Sequence, residues 1–407
     1  MLPLGMTLPI ALLTIISFLL SLTLTACIKR WAPRIGFVDN PGHRKIHHIP
    51  KPLGGGVAIF LAIALPIIAG LLCIQFLTFD HAGTTPNGII AQALHSLSVH
   101  EAGIRYQTPM ALKFLLAIAL MHLLGLCDDR RSLGPYMKLF AQLAIVGMLV
   151  VWADLRALTV LDQMLGMGKL PSIAITVMWI VAITNAFNFL DNMDGLSAGV
   201  AAVCTLAFLA TAVSIQQWFV AACLALLLGA LLGFLCFNFA PASIFMGDSG
   251  SLIIGLILGV LTVRTTYLLP NQSLAAGWYT LFAPLIVLAV PLYDLFVVTA
   301  IRLMRGESPF VGDTNHFSHR LVARGMSRRT AVLCLYLVTA ATSVAAFLLT
   351  HVHSPTAAIL IFVQTLLILG VVMLLEQHPL PSREHPLPAA RPATESDALA
   401  ESKVSKP

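Results

Sequence analysis

What most constrains this chain is the recurrence of apolar runs about 17–25 residues long, the length an α-helix needs to cross the hydrocarbon core of a bilayer. Such runs lie near 6–28, 55–77, 110–127, 137–154, 171–189, 198–215, 218–237, 250–268, 278–301, 330–350 and 355–375 of the 407 residues. One run alone could be a buried core helix, but this many leave too little polar surface for a water-soluble domain. Only 10% of the residues are charged and 58% are apolar, against about 25% charged in a soluble protein. The expected fold is therefore an all-α polytopic membrane protein of about 10–11 transmembrane helices, with residues 1–375 as the membrane domain. Residues 376–407, rich in Pro, Ala, Ser and Glu and without an apolar period, are expected to form a disordered tail on the inner side.

The first run lacks a basic segment before it and is followed by Lys29 and Arg30, so it is expected to stay as a helix rather than be cleaved as a signal. The seven cysteines form no CxxC pair and sit mostly inside apolar runs, where they are expected as small buried apolar residues.

Lys and Arg set the orientation. Fifteen of the 24 fall in the odd-numbered loops: Lys29, Arg30, Arg34, Arg44, Lys45 and Lys51; Arg130, Arg131 and Lys138; Arg302, Arg305, Arg320, Arg324, Arg328 and Arg329. The even loops and their borders hold five: Arg105, Lys113, Arg156, Lys169 and Arg264. Cytoplasmic loops carry the positive excess, so the odd loops are expected inside and the N-terminus outside. The formal charge of +6 then marks topology rather than a nucleic-acid partner.

Acidic and amide residues in such a chain are retained at a cost and point to a site. Asp128 and Asp129 end the third run, where the helix dipole disfavours anions, although Arg130 and Arg131 could shield them as an ordinary loop. Asn185, Asn188 and Asp191 recur every three residues at the end of the fifth run and share a helix face, with Asp194 and Gly195 following; helix capping would explain one or two of them. Asp248 in Gly247-Asp248-Ser249-Gly250-Ser251 opens the eighth run. It fits an N-cap and equally an anion site at a helix start. Asp294 adds a carboxylate within the ninth run.

All these clusters fall on the side that the charge bias calls cytoplasmic, so they could assemble into one site. Carboxylates gathered there would repel unless a cation neutralised them, and Asp and Asn oxygens suit Mg²⁺ or Mn²⁺. The opposite flank is cationic. Lys51 precedes a glycine run, Lys138 opens the fourth run, and His316, His319 and Arg320 lie in the ninth loop. His316 and His319 could begin a zinc site, but no third ligand follows at a familiar spacing; with the lysines they read as donors to phosphate oxygens. Metal on one flank and cations on the other is how proteins stabilise phosphoryl transfer.

The run ending Lys51-Pro52-Leu53-Gly54-Gly55-Gly56, Asp128-Asp129 followed by Lys138, Asn185-Ala186-Phe187-Asn188 through Asp194-Gly195-Leu196, Gly247-Asp248-Ser249-Gly250-Ser251 and His316-Phe317-Ser318-His319-Arg320 occur in that order. Together they resemble the polyprenyl-phosphate N-acetylhexosamine-1-phosphate transferases, the bacterial membrane enzymes that begin cell-surface glycan assembly and are related to the phospho-MurNAc-pentapeptide translocase. The resemblance implies Asp248 as Mg²⁺ ligand with Asn188 as a second oxygen donor, and Asp128 as base with Asp129 beside it. It further implies Asn185, Asp191 and Asp194 for the nucleotide, and Lys51, Lys138, His316 and His319, with Arg320 adjoining, for the phosphates. The implied partners are a UDP-sugar, most simply UDP-GlcNAc, and undecaprenyl or another polyprenyl phosphate in the cytoplasmic membrane, and a homodimer is compatible with it. Two positions depart from the pattern: Asn192 stands where the motif usually has Gly, and Ser318 where it often has His. Asn tolerates the left-handed conformation, so the loop is expected to survive. The readings kept beside this one are phospho-MurNAc-pentapeptide transfer and a polytopic transporter. The latter would place its ionisable groups at the bilayer midplane, with repeat symmetry.

Overall fold

The computed structural model describes residues 4–39, 50–76, 92, 95, 98–265, 278–308, 316–351 and 354–377. Residues 378–407, most of the expected tail, lie outside them, as do Arg44 and Lys45. The helices are α1 (Leu4–Trp31), α2 (Gly55–Phe76), α3 (Glu101–Arg130), α4 (Pro135–Trp152), the short α5 (Val160–Leu165), α6 (Leu170–Leu190), α7 (Leu196–Ser214), α8 (Trp218–Asn238), α9 (Asp248–Arg264), α10 (Ala283–Val287), α11 (Ala289–Met304), α12 (Phe317–Ala323), α13 (Arg328–Leu349) and α14 (Pro355–Gln377). A two-residue pairing of β1 (Val38–Asp39) with β2 (Lys51–Pro52), antiparallel and in register Val38 to Pro52, closes the first loop.

Among the described residues nine helices are long and apolar enough to span a membrane, and α10 with α11 makes a tenth as a bent pair. α9, at 17 residues, is one turn shorter than most spans and lies where length matters least, at the centre. Every residue from Ser249 to Thr262 is buried. α3 is longer than the run that announced it: Glu101 and Arg105 pair one turn apart at 2.7 Å and carry the helix beyond the apolar core as a polar extension.

The ninth run is broken, with a bend of 69° between Tyr279–Val287 and Ala289–Met304. Pro291 explains the position. It has no N–H to offer the carbonyl four residues back, and its ring crowds that carbonyl, which belongs to Val287. The freed oxygen is taken by the Cys204 thiol at 3.4 Å. Cys204 and Cys223 are buried, but Cys27, Cys73, Cys127 and Cys236 are on the outer surface, contrary to the expectation of burial. In a bilayer the outside of the bundle is apolar too, so a small apolar residue need not turn inward.

Close packing rests on small residues, as it must where lipid competes for every apolar face. Ser17 and Ser21 of α1 donate to the carbonyls of Leu226 and Ala230 of α8, both at 2.6 Å. Gly125 of α3 lies directly against the Asp248 backbone, so that any Cβ there would collide with it. That contact fixes the start of α9 against the end of α3.

Candidate active site

The site is built around the first residue of α9. A helix start exposes unpaired N–H groups and positive dipole charge, and Asp248 does not cap its own helix. The cap comes from another span. Asp129, the penultimate residue of α3, accepts from Asp248 N at 2.7 Å and from Ser249 N at 3.1 Å. Gly247 makes room for it with φ +73°, and a Cβ there would strike the Asp129 carboxylate. The apparent conflict of Asp129 with the dipole of α3 is thereby resolved, because its charge meets the favourable end of α9. The Asp248 carboxylate is released for other work.

Lys138, in the first turn of α4, reaches into the resulting cluster. It pairs with Asp248, lies 3.6 Å from Asp128 and donates to Asn188 Oδ1 at 3.2 Å. Asn188 Nδ2 donates to Asp248 Oδ1 at 2.8 Å and to Ser251 Oγ at 2.9 Å. Asp128 also accepts from Leu133 N at 2.8 Å, which fixes the α3–α4 turn. The donors are hard oxygens of the kind Mg²⁺ takes, so the chemistry of the set fits such an ion. Among the described residues, however, no three carboxylate, imidazole or thiolate groups are gathered closely enough to hold a metal; the Lys138 ammonium supplies the positive charge among them.

The α6–α7 turn forms the second wall. The Asp191 carboxyl is pushed well above the ordinary carboxylate range, first by loss of hydration and then by the negative charges of Asp248, Asp129 and Asp194. A cation or a donor arriving there would be welcome. Asp194 accepts from Ala242 N at 2.8 Å, and Lys51 lies 3.9 Å from it while donating to Ala242 O at 2.8 Å. Lys51 and Asp194 thus clamp the α8–α9 loop from both sides. Asn185, one turn deeper than Asn188, donates to Gln142 Oε1 at 2.7 Å and to Val181 O at 2.8 Å, which faces it toward α4 rather than toward the turn of Asp191.

The third wall is α12. Asp294 of α11, fully buried, accepts from Phe317 N at 2.6 Å and holds His316 Nδ1 at 2.9 Å, so the ring orientation of His316 is set from within the bundle. His319 lies one turn on, its ring 6.4 Å from that of His316. The two departures from the motif meet each other here: Ser318 Oγ donates to Asn192 Oδ1 at 2.6 Å, and Asn192 Nδ2 donates to Phe189 O at 2.7 Å. Asn192 is not among the residues with positive φ, so tolerance of the left-handed region is not what admits it. Its amide replaces backbone freedom with a tether. Arg320 makes a bidentate pair with Glu376 at 2.9 and 3.0 Å, so the boundary expected at 375 falls inside a helix and cuts off a structured residue.

Asp128, Lys138, Asn188, Asp191, Asp194, Lys51, Asp248 and the α12 histidines thus ring one end of the bundle. Asp129 and Arg320 are committed to protein partners, and Asn185 sits one turn below. Ser251, Asn192, Ser318, Gln142 and Glu376 were not singled out by motif as site residues, and the role of Asp294 was open. A polar residue on a span, such as Gln142, was the available signal; Glu376 stands just past the last apolar run and offered none.

Residues 111–266 match the family described as glycosyl transferase family 4. The chain is 30% identical to the probable undecaprenyl-phosphate N-acetylglucosaminyl 1-phosphate transferase of Bacillus subtilis, over 89% of this chain and 90% of that protein. It is 33% identical to the decaprenyl-phosphate N-acetylglucosaminephosphotransferase of Mycobacterium tuberculosis, over 81% and 79%. It is 26% identical to the undecaprenyl-phosphate alpha-N-acetylglucosaminyl 1-phosphate transferase of Escherichia coli K12, over 81% and 82%. Neither phospho-MurNAc-pentapeptide transfer nor transport figures in these names.

Proposed function

Since the chain belongs to the polyprenyl-phosphate N-acetylglucosaminyl-1-phosphate transferase family, we propose that it transfers GlcNAc-1-phosphate from UDP-GlcNAc to a polyprenyl phosphate. An oxygen of the lipid phosphate attacks the sugar-bearing β-phosphorus, the bond from that phosphorus to the oxygen bridging to the α-phosphate breaks, and UMP leaves. The observation that carries this reading is the junction of Asp248, Lys138, Asn188 and Asp128 at the mouth of α9, with the cationic and imidazole groups of Lys51 and α12 on the neighbouring loops.

The lipid phosphate needs little activation, since a phosphate monoester has its second pKa near 6 and is largely dianionic at pH 7. The obstacle is the approach of two anions. Lys138 stands where it can follow the charge of the diphosphate, and Asp248 and Asn188, joined by Asp128, would hold Mg²⁺ or Mn²⁺. A bound divalent ion supplies charge neutralisation for the phosphoryl oxygens. Asp294 keeps His316 turned toward the site, and Asp191 and Asp194 border the nucleotide side. The site faces the cytoplasm, where UDP-sugars are, and the bundle lies in the bacterial cytoplasmic membrane.

The test is direct. Purified protein given polyprenyl phosphate, UDP-GlcNAc and Mg²⁺ should release UMP; a folded protein that releases none with any UDP-sugar would sink the proposal.

A further inference from the structure

α12 has seven residues, too few for a helix to persist in water on its own, yet it presents His316 and His319. Its position must come from tethers. Asp294 holds its first turn from α11, Asn192 holds Ser318 from the α6–α7 turn, and Arg320 is held from the last residues of the last span. There Glu376 is almost buried, receives both guanidinium bonds and accepts from Tyr293 Oη at 3.3 Å. Tyr293 neighbours Asp294, so one carboxylate ties α12 to α11 and α14 together. A planar bidentate pair between groups this shielded fixes direction as well as distance.

We infer that Glu376 is a positioning residue for the transfer reaction: acting through Arg320, it orients the helix that carries His316 and His319, and makes the end of α14 part of the active-site support. Arg320 is then spent on Glu376, and phosphate contact falls to the histidines. This rests on the transferase reading for its kinetic readout and on exchange for an independent one.

The experiment uses the full chain in lipid nanodiscs. Glu376→Gln should lower kcat for UMP release about tenfold, roughly 1.4 kcal/mol in barrier, with KM for UDP-GlcNAc unchanged, and should speed hydrogen–deuterium exchange over 316–323 while the spans stay protected. Arg320→Glu combined with Glu376→Arg should recover both. Tyr293→Phe, which leaves the ion pair in place, should show a smaller change in the same direction. Unchanged exchange over 316–323 in Glu376→Gln would overturn the inference. So would a double exchange of charges that restores protection but leaves turnover at the single-variant level, since Arg320 would then act on substrate directly. A wild-type protein that releases no UMP defeats the transferase reading, and the exchange result still decides whether Glu376 holds α12.

Discussion

Adjacent carboxylates need not share a task. Asp128 faces Lys138 at 3.6 Å and Asp129 faces the backbone of α9, because successive residues of a helix point about 100° apart. Asp248 is the residue both arrangements serve. Asp248→Asn should abolish UMP release while leaving the size-exclusion profile unchanged, since the helix start is capped from α3. Asp191 is a residue whose charge is disfavoured where it stands. Its carboxyl is raised by dehydration and by Asp248, Asp129 and Asp194, so the folded state holds the proton to higher pH than the unfolded chain does. From the ordinary carboxylate range near about 3.9 up to the raised value, stability then falls as pH rises, and above it the full cost stands. Asp191→Asn should therefore raise the thermal midpoint in EDTA at neutral pH and lose that gain as the pH falls toward the ordinary carboxylate range; a gain independent of pH would contradict this.

The elements explain why the motifs occur at helix ends. α9 starts on a Gly-Asp-Ser run because one position must bend, one must face the site and two N–H groups must be capped. An Asn side chain has one acceptor oxygen where Asp129 uses both of its own, and losing a cap costs about 0.5–2 kcal/mol. Asp129→Asn should keep one capping bond, set its amide N–H against the other N–H and lose part of the thermal stability; Asp129→Ala should lose both bonds, lower stability by about that amount and slow UMP release through a displaced Asp248. Gly125→Ala forces a Cβ into the Asp248 backbone, and such overpacking costs about 1–3 kcal/mol; its unfolding temperature should fall accordingly. The bend between α10 and α11 was equally invisible as a run of hydropathy, although Pro291 was in plain sight. A hydropathy window averages over a proline that an individual hydrogen bond cannot ignore.

At the scale of the molecule, the pair Arg320–Glu376 counts the crossings. The end of α14 meets a helix at the site end, and the chain reaches that end after α1, α3, α6, α8, the bent α10–α11 pair and α14. Among the described residues there are nine spans and a tenth as the bent pair; if the short, buried α9 is counted as a further pass, the start of α1 is expected opposite the site. If the site is cytoplasmic, Arg131→Cys in a background without the seven native cysteines should react with an impermeant thiol reagent only after cells are opened. Lys169→Cys should react in intact spheroplasts, and the reverse pattern would invert the orientation. EDTA should stop UMP release and Mg²⁺ or Mn²⁺ restore it.

The sequence by itself determined the membrane-spanning class and nearly every span, and it picked out most of the residues that the structure gathers at the candidate site, because apolar length and isolated carboxylates are properties of local composition. Only the tertiary structure decided what each polar group does. Asp129 as a cap, Asn192 with Ser318 as a tether, Asn185 with Gln142 and Arg320 with Glu376 are pairings between residues from 43 to 126 positions apart. A hydrogen bond is directional and short, so its partner follows from how helices are set against one another, which neither spacing nor charge along the chain encodes.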